Sequence, residues 1–418
     1  MVDRSPSAVA LLARLGFAEP VRSAALLRDP VLLRLFAPGV EPDEAIESTR
    51  AARTSVAEGL AAAADPDLAA LGLVRLTEAV LRMPSAHPAG PAHLLDLLTA
   101  DTDRRRRVLL TLGGSRALVD HFAAHPEHWP AAADATPPSA EGLRTALTTA
   151  VTPGARGERT AYDALRVAYR RELVGIAALD LSAPDPVAHL PKAAEALAQL
   201  AESALEAGLV IAREEFGPGH EDCRLAIIGM GKTGGGELNY VSDVDVIFVA
   251  EPAPGVDEER AVKVGTTLAT STMKACAAQT GEGTLWPVDA ALRPEGKAGP
   301  LVRTIASHKA YYDRWAKTWE FQALLKAWVS AGDREVGMAY KEALRPLIWG
   351  AAGRDNFVED VQAMRRRVEK HVPPAEAARQ LKLGPGGLRD VEFSVQLLQL
   401  VHGPVSYTHL TLPTSDLV

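Results

Sequence analysis

The stretch "LAIIGMGKTGGGELNYVSDVDVIFV", Leu225 to Val249, restricts the possible folds of this chain more than any other segment. "RLAIIGMG" is an apolar run rich in Ile, and "DVDVIFV" alternates Asp with Val before running apolar. Both read as strands, with a glycine-rich turn between them. Gly231, Lys232 and Thr233 spell the end of a P-loop, but the glycine required five positions earlier is Ala226. Gly229, Gly231 and Gly234 satisfy the dinucleotide-binding spacing, yet that device needs a full helix before its second strand. Seven residues separate Gly235 from Asp243, too few for such a helix. Both of these phosphate-binding devices therefore fail on local spacing.

The surroundings read as helical. Ala, Leu, Arg and Glu dominate the first 215 residues, and "KAAEALAQLAESALEAGLVIAREEFG" carries Leu197, Leu200, Ala201, Ala204 and Leu205 on the helical period until Gly217 and Pro218 close it. After the two strands, a helix is expected from about Glu258 to Thr280. "TLWPVDAALRP" reads as a further strand ended by Pro294, and helical pattern resumes from Tyr311 onward. The expected class is α+β, a small mixed sheet embedded between helical regions. With 418 residues and 47% hydrophobic content, two or three domains are expected. Boundaries are placed at 1–150 for an N-terminal helical region, 151–335 for the sheet domain with its helical lead-in, 336–403 for a following helical domain, and 404–418 for a tail.

Charge and cysteine usage narrow the function classes. A net charge of −8 offers no concentrated basic face for a nucleic-acid backbone. The run Arg104 to Arg107 reads as a solvated helix face or as internal salt-bridge partners. Cys223 and Cys276 stand 53 residues apart without short-range ligand partners, which argues against a disulfide framework or a zinc site. No signal segment and no uninterrupted apolar stretch of roughly 18 residues occurs, so the expectation is a cytoplasmic chain that neither spans nor binds a membrane.

A third device, that of nucleotidyltransferases, fits the central stretch: a Gly-Gly turn, a short segment, Asp-x-Asp on a strand, and a third carboxylate on a later strand. Asp243 and Asp245 are i and i+2, so on a strand their carboxylates share one face and can hold divalent cations, while Val244, Val246 and Phe248 point to the other. Asp289, in "WPVDAALRP", is expected on the neighbouring strand, where it completes the site. Two cations about 4 Å apart stabilise both the attacking and the leaving oxygen of a phosphoryl displacement.

"GMGKTGGGELNYVSDVDVIFV", "WPVDAALRPEGKAGPLV" and "KLGPGGLRDVEFSVQLLQLVHG" together resemble the bifunctional glutamine synthetase adenylyltransferase/adenylyl-removing enzymes. "LGGSRALVDHFAAHPEHW" and "YRRELVGIAALDL" resemble the helical lead-in of that family's N-terminal half. The resemblance implies a polymerase-beta-like nucleotidyltransferase domain that removes AMP from a tyrosine of glutamine synthetase by phosphorolysis, yielding ADP. It implies Mg²⁺ or Mn²⁺ at Asp243, Asp245 and Asp289, with Asp289 also helping to activate the attacking oxygen. Gly231, Gly234, Gly235 and Ser242 would border the phosphates, with Lys232 and Arg293 as counter-charges. Lys382, Arg389 and Glu392, on a second glycine turn, would close over the nucleotide. Where the family often reads "ALLKAR", this chain has Trp328. Glutamine synthetase and a PII-type nitrogen signalling protein are the implied partners, with ATP, ADP and phosphate as small ligands.

"VSYTHLTLPT", Val405 to Thr414, departs from the family pattern and resembles a translated sequencing adapter, so residues 404–418 are expected to be a non-native tail on a truncated chain. Two other readings share the Gly-Gly and Asp-x-Asp features: transfer of a different nucleotide, such as uridylylation of a regulatory protein, and a non-catalytic regulatory module. The intact acids speak against the latter.

Overall fold

The two apolar runs of the central stretch pair antiparallel as β1 (Cys223–Gly229) and β2 (Val244–Pro252), with Cys223 opposite Pro252 and Gly229 opposite Val246. A computed structural model describes residues 8–100, 102–370, 372–373, 375–376 and 379–403; the expected tail at 404–418 lies outside them. Along the far edge of β2 run β3 (Val288–Asp289) and then β4 (Val302–Arg303), both parallel to it, and β5 (Trp328–Gly332) pairs antiparallel with β1. The sheet is therefore mixed, with helices before and after it.

Two sequence expectations need correction, and one strand was not foreseen. The strand read across "TLWPVDAALRP" shrinks to two residues, because Pro287 lacks an N–H and the chain turns immediately after Asp289. The continuous helical pattern from Tyr311 breaks into shorter pieces that include β5. That strand is five residues long and depends on a partner about 100 residues upstream, so its own sequence carries little signal. β4, with two residues, is below the length at which any periodicity exists.

The helices that position the site are α1 (Gly231–Gly234), α2 (Glu258–Ala277), α3 (Ile305–Arg314), α4 (Thr318–Leu324), α5 (Arg334–Gly350), α6 (Phe357–Glu369) and α7 (Leu388–His402). Period-2 alternation sorts β2 between two packed faces. Val244, Val246 and Phe248 are fully buried on the face backed by α2, where Gly265 admits the close approach of Cys223 Sγ and Ala250 Cβ. Ile247 and Val249, with Ala226 and Ile228 of β1, pack against Tyr312, Phe321, Tyr340 and Leu344 from α3, α4 and α5. Asp245 shares the parity of Ile247, so the helices that build this second core also decide what the carboxylate faces.

The described residues group into two compact units, one drawn from Met1–Pro138 and Tyr169–Ala193, the other from Ser139–Ala168 and Ala194–Val418. The first unit is helical, with Leu73, Leu109, Leu112, Phe122 and Trp129 in its core. Its arginine run disperses rather than forming one face. Arg104 pairs with Asp134, Arg105 is buried against Ser55, Arg106 donates to the Ser182 carbonyl, and Arg107 donates to those of Ala133 and Ala135. The second unit contains the sheet. Both cysteines are buried there, and burial pushes each thiol up to about 12, consistent with packing roles. Among the described residues no helix is long and apolar enough to cross a membrane.

A buried acid links the long helix Pro186–Phe216 to β5: Ser330 Oγ donates to Glu202 Oε1 at 3.0 Å. Burial pushes the Glu202 carboxyl up to about 7 from its ordinary 4.5, against the opposing effects of the Ser330 bond and of Arg144. A raised acid holds its proton more tightly when folded, so the stability it confers is complete below about 4.5 and is lost as pH rises through about 7. Glu202→Gln should therefore stabilise the chain at pH 8 by roughly 2 kcal/mol and have little effect at pH 4. Urea melts at both pH values check this; equal effects at the two would show that Glu202 is not the titrating group.

Candidate functional site

The turn between β1 and β2 is held on the sheet by its backbone, with Met230 N–H donating to the Asp245 carbonyl at 2.8 Å. Gly231 enters it at φ +53°, where a Cβ would lie 2.6 Å from Asp245 Oδ2, so the glycine clears space for that carboxylate. Gly234 lets the turn seat against backbone: a Cβ would come within 2.0 Å of the Lys326 carbonyl oxygen and 2.3 Å of that of Gly229. The N–H groups of Gly234 and Gly235 donate to Met230 and Gly231 carbonyls, so these two glycines serve the turn itself and only Gly231 borders the open space.

Asp245 stands directly across the parallel pair from Asp289. Strand spacing thus brings two carboxylates together, and Asp243, one residue before β2, supplies a third. One ligand oxygen from each of the three acids lies within 4.8 Å of the others, an arrangement that can hold a metal ion. Burial, reinforced by the charges of Asp243 and Asp289, pushes the Asp245 carboxyl up to about 6. Asp289 is oriented by Ala291 N–H, which donates to its Oδ1 at 2.8 Å. An all-oxygen, anionic donor set of this kind suits a hard divalent cation.

Beside the acids lies a cavity of about 360 Å³. Gly231, Lys232, Ser242, Asp243, Asp245, Lys382, Arg389 and Glu392 all line it, so residues 161 positions apart in sequence, Gly231 and Glu392, meet at one place. Lys232 Nζ donates to Asn239 Oδ1 at 2.8 Å, and burial, followed by the charge of Lys382, holds its ammonium below the ordinary lysine range. Arg389 pairs with Glu392 at 3.1 Å. The second glycine turn is closed by Leu388 N–H to the Leu381 carbonyl and Arg389 N–H to the Lys382 carbonyl, while Arg365 of α6 donates to the carbonyls of Leu383 and Gly384 and pairs with Asp390.

Arg293 sits elsewhere than expected. Its guanidinium donates to the carbonyls of Ala290, Lys297 and Gly299, and it is absent from the cavity lining; the charge staples the loop that follows Asp289. Trp328 lies on β5, half exposed, with Lys341 Nζ 4.6 Å from its ring centroid. Sequence reasoning missed the wall built by Trp319, Gln322, Ala323 and Lys326, and by Met364, Phe393 and Gln396. The spacing of 319, 322, 323 and 326 is that of one helix face and was available as a signal, but nothing local says what such a face looks onto. Lys326 is steadied by Glu237 at 2.7 Å.

Fold and site together define the class: an α+β domain of the nucleotidyltransferase type, with a mixed sheet presenting clustered carboxylates beside a glycine turn. The family model described as glutamate-ammonia ligase adenylyltransferase matches residues 107–343, and a second, described as GlnD PII-uridylyltransferase, matches residues 359–416. The bifunctional glutamine synthetase adenylyltransferase/adenylyl-removing enzyme of Streptomyces avermitilis is 51% identical across 96% of this chain and 37% of its own length. The protein of the same name from Streptomyces coelicolor is 50% identical across 96% of this chain and 38% of its own length. That of Mycolicibacterium smegmatis is 48% identical across 82% and 34%. The chain belongs to the glutamate-ammonia ligase adenylyltransferase family, and it spans less than two fifths of the length of these curated relatives.

Proposed function

We propose that this chain removes AMP from an adenylylated tyrosine of glutamine synthetase by metal-dependent phosphorolysis, as the adenylyl-removing part of a bifunctional enzyme. The observation that carries the reading is the cluster of Asp243, Asp245 and Asp289 facing a glycine turn, in a member of a family whose relatives bear both activities in their names. The adenylyl-removing direction rests on the family-like helical lead-in that precedes the sheet in this chain. Residues 151–335 would form the transferring domain, and 336–403 the helical side that closes over the nucleotide.

The three acids would hold Mg²⁺ or Mn²⁺, which when bound supplies charge neutralisation at the attacking and departing oxygens. Lys232, Lys382 and Arg389 set positive charge along the cavity for the phosphates, and Gly231 leaves room for the Asp245 carboxylate beside the turn. An oxygen of inorganic phosphate attacks the α-phosphorus, the bond to the tyrosine oxygen breaks, the phenolate takes a proton, and ADP departs. Glutamine synthetase is the protein substrate in this reading, and a PII-type nitrogen signalling protein the regulatory partner. The chain would work in the cytoplasm.

Incubation of the purified chain with adenylylated glutamine synthetase, Mg²⁺ and phosphate should release ADP, while ATP with unmodified glutamine synthetase should give no adenylylation. Free AMP in place of ADP would identify water as the nucleophile, and adenylylation in the parallel reaction would reverse the assigned direction. The match of residues 359–416 to a PII-uridylyltransferase favours one second reading, release of UMP from a uridylylated PII-type protein, and the same assay with that substrate decides between them.

A further inference from the structure

The cavity beside the acids is lined by two chemically different kinds of side chain. Asp243, Asp245, Lys232, Lys382, Arg389 and Glu392 bring charge to its lining, while the half-buried rings of Trp319 on α4 and Phe393 on α7, together with Gln322 of α4, line it as well. Gln322 is 2% exposed, and neither Oε1 nor Nε2 has a hydrogen-bond partner. A buried amide left without partners is destabilising, and such groups in folded proteins call for an explanation. No salt bridge, cap or turn in α4 uses this one: the helix is capped through Glu320, whose carboxylate accepts from Lys317 N–H at 2.9 Å. An apolar residue of the same shape would fill the position without that penalty.

The geometry points to Gln322 as the residue that reads the nucleobase. This rests on the nucleotidyl-transfer reading above. A primary amide offers one acceptor beside one donor, the complement of the adenine edge formed by the N6–H group and the adjacent ring nitrogen. Flat rings in the lining of the same cavity suit a base that stacks while the amide holds its edge. The nucleotide would then lie with its phosphates toward the acids and its adenine toward α4, so base selection comes from a helix between β4 and β5 and not from the glycine turn.

The test is calorimetric titration of the purified chain, with Mg²⁺ present, using ADP, purine riboside diphosphate, UDP and inorganic pyrophosphate as probes. Gln322→Met, which keeps volume and removes both polar atoms, should weaken ADP binding about 10- to 100-fold, the loss expected when both bonds of one amide disappear. Pyrophosphate should bind both proteins equally. Purine riboside diphosphate, which lacks the N6–H group but keeps the ring nitrogen, should bind the native chain more weakly than ADP and lose less than ADP does in the variant, the non-additivity of two partners in one interaction. The variant should melt no lower than the native chain, since its side chain leaves no buried amide unpaired. Equal ADP affinity in the two proteins, parallel loss of ADP and pyrophosphate, or native affinity for UDP equal to that for ADP would each overturn the assignment to Gln322 and leave the transfer reading standing. A native chain that binds none of the nucleotides would remove the transfer reading, and this assignment with it.

Discussion

Asp245→Asn should abolish nucleotide release, by about 10³-fold or more, while the chain remains folded. The substitution keeps the volume of a side chain that sits between Gly231 and Asp289 and removes a charge that burial and two neighbouring acids already disfavour, as its rise to about 6 records. In chelator the variant should therefore melt at the native temperature or slightly above it, because one source of repulsion has gone. On addition of Mg²⁺ the native protein should gain stability by mass action and the variant much less. Melting curves with and without Mg²⁺, set beside the release assay, separate the two effects. Equal metal-induced shifts would take Asp245 out of the metal site, and a collapse of the variant in chelator would make its role one of packing.

Gly234→Ala should be the most damaging small substitution in the glycine turn. The added methyl would lie 2.0 Å from one backbone oxygen and 2.3 Å from another, and neither Lys326 nor Gly229 can move without shifting β1 or the end of α4. A loss of about 3 kcal/mol or more is expected, and with it the registration of the turn beside Asp245. Gly281→Ala is the matched control, because a Cβ there meets nothing within 4 Å, and it should change stability by less than about 0.5 kcal/mol. Urea melts of the two variants provide the comparison; near-equal stabilities would mean that the turn moves freely on the sheet.

Much of the centre was legible because its signals are local. The spacing from Gly235 to Asp243 ruled out two phosphate-binding devices, and the i, i+2 relation of Asp243 and Asp245 follows from strand geometry alone. Asp289 could be proposed as a neighbour because it follows apolar residues in a short extended run, and it stands opposite Asp245 in the parallel pair. The long helices were legible for the same reason: Glu258–Ala277 and the segment ending at Phe216 carry many turns of one period and end at recognisable stops.

What could not be read depends on partners distant in the chain. β5 and β4 have too few residues for a period and become strands by pairing with β1 and β2. Arg293 and Lys232 are both cations close in sequence to the site's acids or glycines, yet one is drawn into carbonyls of its own loop and the other borders the cavity, a difference set by where the loop after β3 turns back. Local sequence, through its periodicity, spacing and acid pattern, determined the long helices and the two central strands, the family likeness and the position of the carboxylates on one face of a strand. Tertiary structure alone decided that this face looks onto α4 and α7 and that Gln322 stands buried there without a partner, because the surroundings of a side chain depend on packing between segments that no local period connects.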